Sequence, residues 1–108
     1  MHTEFFGDGE HSFPLTPDLI LELERTTGHG IGSLFNRIST REFAFFDLLE
    51  TVRLGLIGGG LTPQESHALI NTYGLHRPIG ETAKIALEIL VRLFFGTADQ
   101  ADQIEAVE

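Results

Sequence analysis

Histidine is the residue type in this chain that first suggests chemistry, because imidazole is a common metal ligand. No two of the five histidines have the i, i+4 spacing of a helical zinc pair, and no His-Glu-x-x-His motif occurs; they are His2, His11, His29, His67 and His76. Only His67 and His76 could approach each other, from a helix and the loop after it. With no cysteine in the chain, thiolate zinc sites and thiolate catalysis are excluded. We expect surface or capping histidines, and no metal or other cofactor.

A glycine-rich segment, 28–32, precedes Ser33 and is similar to a phosphate cradle at a helix N-terminus. A dinucleotide fingerprint requires a preceding strand, and a P-loop requires Gly-Lys-Ser/Thr, so a turn between two helices explains the segment better. Acid pairs such as Glu22 with Glu24, or Glu42 with Asp47, lie in polar settings that favour solvated faces over catalysis. The sequence therefore predicts no catalytic residue and no enzyme. A small metal- or anion-dependent enzyme that uses His67, His76 or segment 28–32 is the alternative.

Composition limits the classes of partner. The chain has 108 residues, 42% of them hydrophobic, and a formal net charge of -9, which suits one domain with a real core and disfavours binding to nucleic acid or to anionic membranes. A helix-turn-helix over 62–95 is disfavoured as well, since its second helix would be almost entirely apolar. The first ten residues are polar and acidic, unlike a secretory signal, and the longest apolar stretch is too short to span a bilayer. We expect a soluble, cytoplasmic protein.

The N-terminal segment has the pattern of a β-hairpin. Phe5 and Phe6 precede Gly7-Asp8-Gly9, in which Asp-Gly tolerates a tight reversal, and Phe13-Pro14-Leu15 follows. Since an isolated ribbon is marginally stable, its phenylalanines would have to pack over the rest of the chain. The sequence predicts a short hairpin over residues 1–15.

Helix signals follow in order. Thr16-Pro17 predicts a helix start and Gly28 its end, and Ser33 begins a short helix that ends near Ile38. Ser39 or Thr40 is then expected to cap a longer helix that ends at glycines 58–60, with an apolar stripe at Phe45, Leu49, Val52 and Leu56 and a wetter face at Arg41, Asp47, Glu50 and Arg53.

Two further helices are expected. Thr62-Pro63-Gln64-Glu65 combines a cap, a first-turn proline and a capping box, and Gly74 ends that helix. The last helix runs from about Glu81 to Phe95 and is apolar over much of its circumference, as expected for a core or interface helix.

The predicted fold class is mainly α: a short N-terminal β-hairpin followed by four to five helices in a compact orthogonal bundle. Residues 1–96 form the single domain, with the hairpin over 1–15 and the helices over 16–96. Residues 97–108 carry four acidic residues and no basic one, and we expect this tail to be frayed or disordered.

Several motifs occur in a characteristic order. Leu23-Glu24 is followed by Gly28 and Gly30-Ile31, and the chain continues with Leu54-Gly55-Leu56-Ile57-Gly58-Gly59-Gly60, a capped helix and a terminal apolar helix that ends at Gly96. This order resembles the small tail-assembly proteins of the gene transfer agent family, a branch of the phage tail assembly chaperones. The likeness covers roughly residues 5–96.

The resemblance implies a non-enzymatic bacterial helper that binds the tape-measure protein, or another tail protein, while the tail tube polymerises around it. It contributes no catalytic residue, cofactor, nucleic-acid or membrane contact. The alternative is a structural tail or neck component that stays in the particle. The chain is short, and too helical, for the β-sandwich of a tube. On the last helix we expect six partner-binding residues: Ile85, Ile89, Leu90, Leu93, Phe94 and Phe95. So apolar a helix would also suit a homodimer or a higher ring.

Overall fold

The computed structural model describes residues 3–6 and 9–96, with side chains from residue 13 onward. Residues 13–96 fold into five α-helices and one π-helical turn. They are α1 (Pro17–Thr27), α2 (Ile31–Ser39), α3 (Phe45–Gly58), α4 (Pro63–Leu69), the π-helical turn Ile70–Gly74, and α5 (Ile79–Phe95). The mainly helical class is as expected. The acidic tail, 97–108, lies outside the described residues.

The β part of the predicted fold class is wrong for this domain. Residues 13–96 contain no strand, and Phe13-Pro14-Leu15, expected to form part of a hairpin over 1–15, is irregular. Ahead of the domain, the backbone of β1 (Thr3–Phe6) pairs antiparallel with that of β2 (Gly9–Ser12). This pairing stops before Phe13, which is buried against Gly55 of α3. Pro14 has no N–H with which to extend a ladder. Packing on α3, and not strand pairing, therefore positions residues 13–15.

Helix α3 is the centre of the fold. It packs against α1, α4 and α5, and most of its residues from Asp47 to Leu56 are buried. Leu48, Val52 and Leu56 have no exposed surface, and α5 adds Ile89 and Leu90 to the same core. Of the predicted stripe, Val52 and Leu56 lie in the core, whereas Phe45 is exposed. The position of α3 also explains why Asp47 and Glu50 are buried, although both were expected on the wetter face.

The predicted start of α3 at Ser39 or Thr40 is wrong. Both hydroxyls bond back to α2, from Ser39 Oγ to the Phe35 carbonyl (2.8 Å) and from Thr40 Oγ1 to the Asn36 carbonyl (2.9 Å). Neither is left to cap the next helix. Arg41 instead adopts a left-handed backbone conformation (φ 63°), and α3 begins at Phe45, where the buried Asp47 carboxylate accepts the Ala44 N–H at 2.9 Å.

The start of α4 is as the sequence predicts. Thr62 Oγ1 accepts the Glu65 N–H at 3.1 Å, and the Glu65 carboxylate accepts the Thr62 N–H at 2.9 Å. Each bond satisfies a donor that the first turn of a helix leaves unpaired. Thr16 caps α1 with only one such bond, a longer one of 3.4 Å to the Leu19 N–H.

We expect Thr62→Ala to lower the free energy of unfolding by about 1 kcal/mol, because it removes the cap of α4. Urea unfolding followed by circular dichroism would measure the change. Thr16→Ala is the matched control. It should lower the free energy of unfolding by less, because the bond from the Leu19 N–H to Thr16 Oγ1 is longer than the corresponding bond at Thr62. Equal losses in the two variants would contradict the assignment of the capping box as the stronger cap.

Candidate partner-binding surface

Helices α2 and α5 form the surface on which the predicted binding residues lie. Phe35 of α2 contacts the C-terminal end of α5, and Ile38 lies beside its N-terminal half, so the two helices run antiparallel. Leu34 and Ile38 are buried, as are Ile89 and Leu90 of α5. Because these inward-facing side chains are buried in the core, a partner at this edge can contact only the exposed side chains beside them.

Three phenylalanines meet at the C-terminal end of α5. The ring centroids of Phe35 and Phe94 lie 4.7 Å apart in a stacked arrangement, and those of Phe35 and Phe95 lie 6.2 Å apart, edge to face. Phe94 is 44% exposed and Phe95 is 55% exposed. We call Phe35, Phe94 and Phe95 the aromatic patch. Offset and edge-to-face pairs hold aromatic rings in place, so the patch presents ordered rings to the solvent.

The structure divides the six predicted partner-binding residues into two groups. Ile85, Ile89 and Leu90 are buried in the core, where they hold α5 against the rest of the fold. Leu93 is partly buried against the same core. Only Phe94 and Phe95 are strongly exposed, and the structure brings them together with Phe35.

Phe35 belongs to the aromatic patch but is not among the six residues that the sequence predicts for partner binding. The buried residues of α2 are Leu34 and Ile38, and Phe35 lies at the margin of the face that they define. A large aromatic residue next to a buried position of a short helix was the available signal. Its contact with α5 depends on the antiparallel packing of two helices that lie about fifty residues apart in the sequence, which no local pattern shows.

The histidines that suggested a metal do not form a ligand cluster in the described part of the chain. His67 is exposed, and one of its ring nitrogens lies 3.0 Å from the Asn71 side-chain amide. His76 is exposed in the segment before α5. Among residues 13–96 no three His, Asp or Glu side chains are grouped so that they could hold an ion. His2 and His11 lie outside the described side chains.

The glycine-rich segment 28–32 comprises the turn between α1 and α2 and the first residues of α2, and the chain itself fills its anion-binding position. Gly28 ends α1 in a left-handed conformation (φ 76°), and Gly30 caps the start of α2. The Glu24 carboxylate accepts the Ile31 N–H at 2.8 Å. A carboxylate at this helix N-terminus satisfies the donor that a phosphate would use and repels a second anion.

One carboxylate of α1 and two of α3 lie beside arginines. Glu22 bonds to Arg25 through both oxygens, and this hydrogen bond is the main cause that lowers the pKa of Glu22 and raises that of Arg25. On α3, Arg53 donates to both oxygens of the buried Glu50 at 2.8 and 2.7 Å, which raises the pKa of Arg53. Asp47 caps α3 and lies 4.0 Å from Arg37. These groups serve as structural ion pairs and caps, and none is arranged as a general acid and base.

No helix in the described part of the chain is both long enough and apolar enough to cross a bilayer.

Comparison with known proteins agrees with the resemblance to gene transfer agent tail proteins that the order of motifs indicates. The chain matches the family described as "Phage tail tube protein, GTA-gp10" over residues 1–96, which is most of its length and includes every helix of the domain. Among curated proteins and among solved structures, none matches. Because the family match covers the whole helical domain, the chain belongs to this family of phage and gene transfer agent tail proteins.

Proposed function

We propose that this protein is a non-enzymatic assembly chaperone of a phage-like tail, which binds an apolar helical segment of the tape-measure protein through the aromatic patch. It would act in the bacterial cytoplasm, while the tail is being built. Membership of a tail-protein family supports a role that involves other tail proteins. The observation that carries the proposal is the ordered and exposed aromatic patch at the edge of α2 and α5.

The energetics of the patch suit partner binding. Burying a phenylalanine side chain fully stabilises a complex by roughly 1.5–3 kcal/mol, and Phe94 and Phe95 retain about half of their surface for a partner. Phe35 and Leu93 flank them and are supported by the core. Aromatic residues in a packed setting are typical interface hot spots. An amphipathic helix laid along this edge would cover the patch with its own apolar face.

The predicted residues that are buried in the core support the aromatic patch. In this proposal Ile85, Ile89 and Leu90 keep α5 rigid, so that the rings beside them remain in place for binding. The formal charge of -9 keeps both the free protein and its complex with an apolar segment in solution. A preorganised surface loses less conformational entropy when its partner arrives.

A structural role in the finished tail is the second candidate function. The family description, which names a tail tube protein, favours it. Quantitative mass spectrometry of purified particles distinguishes the two roles. A chaperone should be absent or far below the stoichiometry of the tube subunits, whereas a structural component should be present at a fixed ratio.

Phe95→Ser tests the aromatic patch. We expect its affinity for the tape-measure protein encoded at the same locus to fall about tenfold, which corresponds to about 1.4 kcal/mol. Co-expression and affinity pull-down, followed by titration calorimetry of the soluble complex, would measure the change. Phe94→Ser should weaken binding to a similar degree.

Leu21→Ser is the matched control, because Leu21 is 63% exposed and lies on α1, which contributes no residue to the patch. It should bind as the parent does. All three variants replace exposed apolar side chains and should keep the parent's helical circular dichroism spectrum. Parental affinity in both phenylalanine variants, with the fold intact, would show that the partner binds elsewhere.

A further inference from the structure

The basic residues of this acidic chain show an uneven arrangement. All seven lie within the part of the chain whose side chains are described, and five of them pair with acidic side chains on their own or a neighbouring helix: Arg25, Arg37, Arg53, Arg77 and Arg92. Arg41 and Lys84, the other two, have no ion-pair partner among the described residues, and both are exposed.

These two side chains line one groove. It has a volume of about 420 Å³ and lies between the C-terminal end of α2 and the N-terminal half of α5. Its apolar lining includes Ile38, Phe43 and Leu87, and none of its lining residues is acidic. We call it the basic groove. In a chain with a net charge of -9, two unpaired cations beside an apolar floor favour an acidic ligand that also carries aliphatic side chains.

We infer that the acidic tail of the same chain, residues 97–108, is that ligand and binds in the basic groove. The tail has a three-residue repeat in which an aliphatic residue is followed by an acidic one; its acids are Asp99, Asp102, Glu105 and Glu108. Ile104 and Val107 are the large aliphatic members of the repeat. Each of these two residues is followed directly by an acidic one, a combination that matches the apolar floor and the cations of the groove.

The length of the tail is sufficient for this contact. From Gly96 back to Lys84 the distance along α5 is about 18 Å at 1.5 Å per residue, whereas the tail can extend to about 40 Å at 3.3 Å per residue. Gly96 ends α5 with a positive φ of 76°, a conformation in which the chain departs from the helix axis.

Docking of the tail would cover the aliphatic lining of the groove, including Ile79, which is otherwise half exposed. The tail is therefore an intramolecular shield for the part of the α2–α5 surface that lies beyond the aromatic patch. This inference does not depend on the proposed function, since it concerns contacts within one chain.

Paramagnetic relaxation enhancement on the full-length chain tests the contact. The chain has no cysteine, so Ala106→Cys provides one thiol for a nitroxide label within the tail. We expect the label to suppress the backbone amide signals of Ala83, Lys84 and Leu87 and to leave those of α4 unchanged. The suppressed signals should recover in about 1 M salt, where the Debye length falls to about 3 Å.

Charge reversal supplies the control. Lys84→Glu in the labelled chain should restore the signals of the groove, whereas Arg25→Glu, an equal change of charge at an exposed site on α1, should not. Amide signals in the groove that are unaffected by the label would overturn the inference. Suppression seen only when label and isotope are on different molecules would also overturn it, by assigning the groove to the tail of a second copy.

Discussion

Gly58→Ala is expected to destabilise the protein by about 3 kcal/mol, the upper end of the usual cost of overpacking a core. A Cβ on Gly58, the last residue of α3, would clash with the Pro14 carbonyl oxygen and lie 3.2 Å from a Leu19 methyl group. The oxygen belongs to the backbone, so a rotamer change cannot relieve the clash. Either the segment before α1 or the end of α3 must move. Urea unfolding monitored by circular dichroism would measure the loss.

Gly32→Ala is the control, because Gly32 lies in α2 and a Cβ there would contact nothing within 4 Å. Alanine is the better helix former, so this variant should be more stable than the parent by about 0.5–1 kcal/mol. Opposite signs for the two substitutions are the expected outcome. A Gly58→Ala variant as stable as Gly32→Ala would show that residues 13–15 do not pack on α3 as described.

Arg53→Met is expected to lower the free energy of unfolding by about 2 kcal/mol. Arg53 donates to both oxygens of Glu50, whose side chain is only 6% exposed. Without the guanidinium, the buried carboxylate loses the cation that it hydrogen-bonds, a defect that costs about 3–5 kcal/mol in fully buried pairs. The Arg53 side chain is itself 23% exposed, so water can reach the Glu50 carboxylate in part and reduce the loss.

The same spacing on α1 provides the comparison. Arg25 also donates to both oxygens of the glutamate three residues before it, but this pair is largely exposed. Exposed ion pairs contribute little to stability, so Arg25→Met should leave the free energy of unfolding nearly unchanged. Adding Glu50→Gln to Arg53→Met should recover part of the loss by removing the buried charge. Equal effects at Arg25 and Arg53 would contradict the burial of Glu50.

Local signals in the sequence predicted much of the helical order. The starts of α1 and α4 were predicted because each depends on a threonine, a proline and an acid within four residues, and the end of α1 because Gly28 takes a conformation that glycine adopts without strain. Such features are complete within one turn of a helix. They need no knowledge of which other elements lie nearby.

Features that depend on tertiary packing were not predictable. The predicted start of α3 was wrong because the hydroxyls of Ser39 and Thr40 can either cap the following helix or bond to carbonyls of the preceding one. Tertiary packing decides between the two, and both hydroxyls bond to α2. Glu50 was predicted on the solvent-exposed face of α3 because a charged side chain suggests exposure. Its ion pair with Arg53 instead allows the carboxylate to be buried. Phe13 was predicted to form part of a hairpin. It instead packs against Gly55, which lies forty-two residues further along the chain.

The candidate binding surface divides in the same way. The apolar composition of α5 marked it as a core or interface helix, but helical periodicity cannot show which face is covered when apolar residues surround most of the circumference. The packing of α3 and α2 against α5 buries Leu90 and leaves Phe95 exposed. Phe35 joins the aromatic patch from another helix, so only the fold could identify it.

Co-expression of the tape-measure protein from the same locus, with and without this chain, tests the central claim most directly. Size-exclusion chromatography of the soluble fraction, followed by mass spectrometry of each peak, is the measurement. We predict that the tape-measure protein is soluble only when this chain is present and that the two elute together as one complex. An insoluble tape-measure protein, with this chain eluting alone, would contradict the chaperone proposal.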